Sequence, residues 1–219
     1  KIQAQTKEIT KVYDGMQEHT DGNRTEVKGN TVVSFTGWVS GQTRDNTSTA
    51  LYATKDVARD NSGNVIKKSV TYTAQLTGQY ADDYQIVNQS NAVISTPPTG
   101  SGAAKTVTAN LGTVANAGTI TPRTLTVGTV AAQTKTYDGT TAADAAAFRA
   151  TLGNLVAGEE NSVAATAAGA AYNDKNVAGA NTVSYTGVAL TGTGAGNYAV
   201  ADTAQGAGTI TKRALTLGE

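Results

Sequence analysis

Twice in this chain a lysine stands two residues before a Tyr-Asp-Gly triplet. Lys11 precedes Tyr13-Asp14-Gly15, and Lys135 precedes Tyr137-Asp138-Gly139. A phenol beside a carboxylate offers a short binding motif. The same residues also make a turn at a strand end: tyrosine packs inward, aspartate bonds its own backbone and glycine takes positive φ. The turn is the preferred reading. Trp38, in Phe35-Thr36-Gly37-Trp38-Val39, has a flat face that can stack on sugars, although a tryptophan in a β segment more often anchors a core. His19, in Glu18-His19-Thr20-Asp21, offers one imidazole to a metal, but it is the only histidine in the chain. A solvated loop is the preferred reading there. Trp38 and His19 occur only in the first half, so they are the candidate contacts for a glycan or protein ligand. Lys55-Asp56 and Asp174-Lys175 are candidate halves of an intramolecular cross-link, with an ordinary ion pair or a solvated pair preferred.

Other chemistry is thinly supported. Asp14, Asp21, Asp56, Asp60, Asp82 and Asp83 are scattered through the first half, and Asp138, Asp144 and Asp174 through the second. Calcium takes roughly six to eight converging oxygens, and no Asp-x-Asp-x-Asp-Gly array supplies them. No cofactor is therefore assigned, and calcium is the one cation considered. Asn23-Arg24-Thr25, Asn46-Thr47-Ser48 and Asn88-Gln89-Ser90 fit the glycosylation triplet, at a frequency chance alone provides. Cysteine is absent, which removes thiolate nucleophiles, disulfides and Cys-ligated zinc. No phosphate-binding Walker loop, Gly-x-Ser-x-Gly elbow or His-Glu-x-x-His pair occurs. A carboxylate pair for glycoside hydrolysis has no fixed spacing in sequence, but a duplicated module argues against one. The chain reads as noncatalytic.

Charge sets further bounds. Seventeen basic and 17 acidic residues cancel, so no field draws in nucleic acid. No apolar run approaches the ~18 residues that membrane insertion requires. Glycine is plentiful at 24 residues, and Thr and Val are frequent, which suits pleated strands separated by turns.

The elements that position these residues repeat. Residues 118–128 read GTITPRTLTVG and residues 208–218 read GTITKRALTLG, identical at eight of eleven positions. Other landmarks recur in the same order. Tyr52-Ala53-Thr54-Lys55-Asp56-Val57 answers Tyr172-Asn173-Asp174-Lys175-Asn176-Val177. Ser69 to Thr73 answers Thr182 to Thr186, and Asp83-Tyr84 answers Asn197-Tyr198. Alternation in Thr31 to Phe35, Val70-Thr71-Tyr72, Leu125-Thr126-Val127 and Val183-Ser184-Tyr185 predicts half-buried strands. Tyr13, Tyr52, Tyr72 and Tyr84, with Tyr137, Tyr172, Tyr185 and Tyr198, are expected to supply the large core side chains. Thr141 to Gly153, rich in alanine with a Thr cap and a closing Gly, predicts a short helix. Its counterpart, Thr20 to Asn30, reads as loop or strand.

The expected organisation is a first, divergent module at 1–96 and a Pro/Gly-rich insert or extra hairpin at 97–122. A second module follows at 123–212, and the start of a third repeat at 213–219. The chain is expected to be part of a longer protein.

The ordered set Lys-x-Tyr-Asp-Gly, Tyr-x-Asp-Lys-Asn-Val, Leu-x-Gly, Asn-Tyr and Ile-Thr-Pro-Arg resembles the YDG and MBG repeat domains of bacterial surface adhesins, including filamentous-haemagglutinin-like exoproteins. The second copy carries the set from Leu125 to Lys212, while the first has Asp56 in place of Asn. The resemblance implies a mainly β, elongated tandem of two small antiparallel modules, β-grasp-like or immunoglobulin-like, with room for one short helix each. It also implies a secreted or surface location and a stalk that projects a binding region in adhesion or biofilm formation. Expected partners are neighbouring repeats and a host or matrix glycan or protein. The alternative is a ligand-binding first copy.

Overall fold

The computed structural model describes residues 1–19, 27–28, 32–42 and 45–216. The chain divides into two units, Lys1–Thr121 and Pro122–Glu219. Unit 1 contains β1 (Ile2–Thr6), β2 (Ile9–Val12), β3 (Val27–Lys28), β4 (Val33–Thr36), β5 (Asp45–Tyr52), β6 (Lys68–Thr77), β7 (Ile86–Val87) and β8 (Thr106–Thr121). One sheet runs β2-β8-β6-β5-β3 and a second runs β4-β1-β7. β6 shows how sequence sets the core. Its residues alternate strictly, so that Val70, Tyr72, Ala74 and Leu76 face inward and the threonines between them face out. Burying a side chain such as Val70 or Leu76 contributes about 1.5–3 kcal/mol. An exposed ion pair such as Lys67 to Glu8 contributes about 0–1 kcal/mol. The inward row therefore decides the register.

Unit 2 contains β9 (Arg123–Thr124), β10 (Thr126–Val130), β11 (Gln133–Thr136), β12 (Ala150–Gly153), β13 (Ala164–Thr166), β14 (Gly169–Tyr172), β15 (Thr182–Thr186), β16 (Ala189–Thr191), β17 (Tyr198–Ala199) and β18 (Thr203–Thr211). Its main sheet runs β11-β18-β15-β14, the same order as β2-β8-β6-β5. Phe148, Tyr172, Val183, Tyr185, Val188 and Ile210 form its core. Phe148 meets Tyr185 at a ring separation of 4.7 Å.

The mainly β expectation holds, with two corrections. Antiparallel pairing describes most ladders, but β1–β7, β2–β8, β9–β17 and β11–β18 are parallel. A parallel pair needs a long crossover, and here nearly the whole unit lies between β2 and β8. The second correction concerns Thr141 to Gly153, which is not a helix. Among the described residues the helical elements are three-residue 3-10 turns, here Ala145–Ala147. Asp144, not Thr141, caps this turn by accepting the Ala146 amide at 2.9 Å, and the chain then enters β12. Two tertiary demands override the alanine propensity. Phe148 is drawn into the core at 2% exposure, and Leu152 pairs with Val127 across β10–β12. Gly153 is not a helix stop either, because a Cβ there would lie 2.4 Å from Thr126 Oγ1.

Residues 97–121 lie in unit 1. Thr99 pairs with Thr106, and β8 then crosses the sheet between β6 and β2. Leaving the strand register, Asn110 and Gly112 make a bulge. Asn110 Oδ1 accepts the Gly112 amide at 2.9 Å, and Gly112 has φ +78°. Arg213–Thr216 carry no strand, and Leu217–Glu219 lie outside the described residues. So do the loop reading for Thr20–Asn30, apart from Val27–Lys28, and the triplet at Asn23.

Candidate functional site

Each Tyr-Asp-Gly turn is built around the lysine that precedes it. In unit 1, Lys11 sits on β2 and its ammonium donates to Asp14 Oδ1, Met16 O and Glu18 O, each at 2.7 Å. Those bonds use all three of its hydrogens. The ammonium also lies 5.5 Å from the centre of the Tyr52 ring. In unit 2, Lys135 sits on β11 and donates to Asp138 Oδ1 at 2.9 Å, Thr140 O at 2.9 Å and Ala142 O at 2.8 Å. It lies 5.3 Å from the Tyr172 ring. Both lysine side chains are largely covered, at 8% exposure for Lys11 and 17% for Lys135. The aspartate completes the turn. Asp14 Oδ1 accepts the Met16 amide, and Asp138 Oδ1 accepts the Thr140 amide, both at 2.9 Å. Gly15 and Gly139 both have φ +80°, a left-handed backbone that glycine adopts without strain. The Lys135 and Thr140 hydrogen bonds pull the Asp138 carboxyl down to about 2.

The two tyrosines of the motif differ. Tyr13 is fully buried, whereas Tyr137 is 37% exposed, which corrects the inward reading for the second copy. The remaining paired tyrosines are buried, and the Tyr84 and Tyr198 hydroxyls are used alike. Tyr84 OH accepts the Val39 amide at 3.1 Å and donates to Gln42. Tyr198 OH accepts the Val156 amide at 3.0 Å and donates to Glu159 at 2.7 Å. Tyr72 OH donates to Lys7 O at 2.7 Å, and Tyr185 OH accepts from Gln133 at 2.7 Å. Burial pushes the Tyr72 hydroxyl up to about 12 and raises Tyr52 as well.

The repeated Gly-Thr-Ile-Thr segment closes each unit against this assembly. Lys11 is in register with Ile120 across β2–β8, and Lys135 with Ile210 across β11–β18. Ile120 and Ile210 are buried. Thr121 Oγ1 donates to Lys11 O at 3.2 Å, and Thr211 Oγ1 to Lys135 O at 3.3 Å. Gly118 and Gly208 lie under the Tyr52 and Tyr172 rings, with no room for a methyl group. The sequence reading placed Lys11 and Lys135 before the turns and Gly118 and Gly208 in the repeated junction, but gave none of them a role. The signal available was that each falls at the same place in both copies.

Neither Trp38 nor His19 lines the open groove beside Asn88. Trp38 is half-buried, edge-on to Tyr84 at 5.2 Å and tilted against Phe35 at 6.0 Å. The crevice beside it holds only about 10 Å³. His19 lies 6.4 Å from the Tyr52 ring, and its amide donates to Ala50 O at 2.8 Å. A groove in unit 1, of about 440 Å³, is lined by Gln5, Asn88, Gln89, Ile94, Leu111 and Val114. Asn88 Oδ1 there accepts the Ser90 and Ala92 amides, and Asn46 lies on β5. Asp174 Oδ1 accepts the Asn176 amide at 2.8 Å and so caps its own turn. Asp60 likewise holds Ser62 and Asn64. Among the described residues no cluster of three or more His, Asp or Glu converges on a metal position, and no helix is long and apolar enough to cross a membrane.

These arrangements organise backbone. The lysine ammonium is saturated with oxygens, the carboxylate is occupied by lysine and amide, and the Tyr84 and Tyr198 phenols hold loop amides. Comparison with curated proteins and with solved structures gives no match. A family model described as the YDG domain matches residues 121–205. The lysine-centred turn of the second unit thus belongs to a YDG domain.

Proposed function

We propose that this chain is a noncatalytic repeat segment of a secreted or surface-bound bacterial adhesin, a spacer that holds a binding region away from the cell in adhesion or biofilm formation. One observation carries the reading. The same lysine-centred turn and the same closing ladder recur, residue for residue, in successive units. Copying a framework while its loops diverge is what a spacer requires. Small-angle scattering of the whole chain should give an extended two-lobed particle. Units collapsed onto each other, or tumbling freely, would reject the spacer.

A second reading rests on Trp38, an indole only half-buried and present in unit 1 alone. It makes unit 1 a glycan-binding module. On a glycan array, binding that disappears in Trp38→Ala supports it. Silence from both proteins rejects it for glycans.

A further inference from the structure

We infer that each unit is a mechanical clamp, built to carry tension applied along the chain. The inference rests on the spacer reading, because a spacer is loaded from end to end. It follows from the direction of two strands. β2, near the start of unit 1, runs parallel to β8, which ends the unit, with Ile9 opposite Gly118 and Val12 opposite Thr121. β11 and β18 repeat this, with Gln133 opposite Gly208 and Thr136 opposite Thr211.

In a parallel pair the chain enters at one end of the ladder and leaves at the other. Tension therefore pulls the two strands past each other along their length. Every rung shares the load, and the rungs must fail together. Had the pair been antiparallel, entry and exit would lie at one end, and the rungs would peel one at a time.

Three details oppose sliding. A slip of one residue would turn Ile120 or Ile210 out of the core, so the smallest tolerable slip is two residues, about 7 Å. The Thr121 and Thr211 hydroxyls add a bond across the same ladder to Lys11 O and Lys135 O. The Lys11 and Lys135 ammonium groups stake the entering strand to the loop behind it. Lysine, isoleucine and threonine thus act on one ladder, which explains why these residues return at fixed places while the loops vary.

The chain has no cysteine, so paired cysteines give unique points of attachment. Ala132, Thr141 and Lys212 are exposed. In optical tweezers the full chain carrying Ala132→Cys and Lys212→Cys is pulled at opposite ends of the β11–β18 ladder, in shear. Thr141→Cys with Lys212→Cys pulls from one end, in peel. The unfolding force in shear should exceed that in peel by at least about twofold at equal loading rate, because forced unfolding reads the barrier rather than the equilibrium. Equal forces would overturn the clamp. A second measurement leaves the fold unsubstituted. Pulled through handles fused to its two termini, the chain loads β1 in unit 1, and β9 and β10 in unit 2, before the ladder, so the strongest event of each unit should fall in the shear range, and a unit whose strongest event lies at the peel force would overturn the proposal. Scattering separates the two readings: an extended chain with equal forces is a spacer without a clamp, and a collapsed chain with a high shear force is a clamp without a spacer.

Discussion

At the scale of single residues, the lysine of the repeated motif does more than the triplet that follows it. Its ammonium satisfies two backbone carbonyls and a carboxylate in each copy. Replacing it with an apolar chain of similar length leaves those acceptors without their donor, which costs about 1–3 kcal/mol. Lys11→Met should cost more than Lys135→Met, because Lys11 is the more deeply covered and water reaches the orphaned oxygens of unit 2 more easily. Urea unfolding of each variant ranks them, and a larger loss for Lys135→Met would contradict the argument. The pair also predicts a pH dependence. The Asp138 carboxyl is depressed from an ordinary 3.8 to about 2, first by Lys135 and then by Thr140. A depressed carboxyl stabilises the fold above its unfolded value, and that contribution is lost as pH falls through the folded one. The stability gap between wild type and Lys135→Met should therefore narrow between about pH 4 and about pH 2. A gap that stays constant over that window would place the lysine's contribution elsewhere. The turn itself was legible in sequence, since Asp and Gly carry known turn chemistry. The lysine's role was not, because its acceptors are carbonyls, and a carbonyl has no residue type to read.

At the scale of the element, strand periodicity carried most of the fold. β6 and β15 alternate cleanly, and their threonines and tyrosines fall on the faces the pattern assigns. Where tertiary packing outweighed local preference the reading failed, as at Ala145–Ala147, where the burial of Phe148 ends a helix-prone run after one turn. The glycines of β8 and β18 make the same point in a testable form. An exposed glycine inside a strand normally gains about 0.5–1 kcal/mol on becoming alanine. At Gly208 the new Cβ would meet Val183 Cγ2 at 2.7 Å and Tyr172 Cε1 at 2.9 Å, and at Gly118 it would meet Tyr52 Cε1 at 2.4 Å and Val70 Cγ2 at 2.5 Å. Overpacking of this kind costs about 1–3 kcal/mol, so the sign reverses. Gly208→Ala should lower the melting temperature of unit 2, and Gly118→Ala that of unit 1 by more. Gly196→Ala, with nothing within 4 Å of the added carbon, should leave stability almost unchanged. A stabilised Gly208→Ala would mean that the ring shifts freely, and the closing strand would not be fitted to it.

At the scale of the whole molecule, duplication has a thermodynamic consequence. Each unit completes its own sheet order and buries its own tyrosines, and each is of a size that folds alone. A spacer made of such units fails locally under stress, one unit opening while its neighbour stays folded. Scanning calorimetry of the full chain should then resolve into two transitions, with Gly208→Ala moving one and leaving the other in place. Lys11→Met should move the other. If either substitution shifts both transitions together, folding is shared across the junction at Thr121–Pro122. The repeat would then be a single cooperative body, and tension would be met by both ladders at once instead of by the weaker one first. The same comparison identifies which unit opens first. Unit 1 covers its lysine more completely and fits its glycine more tightly against the tyrosine ring, so the lower transition should be the one that Gly208→Ala moves.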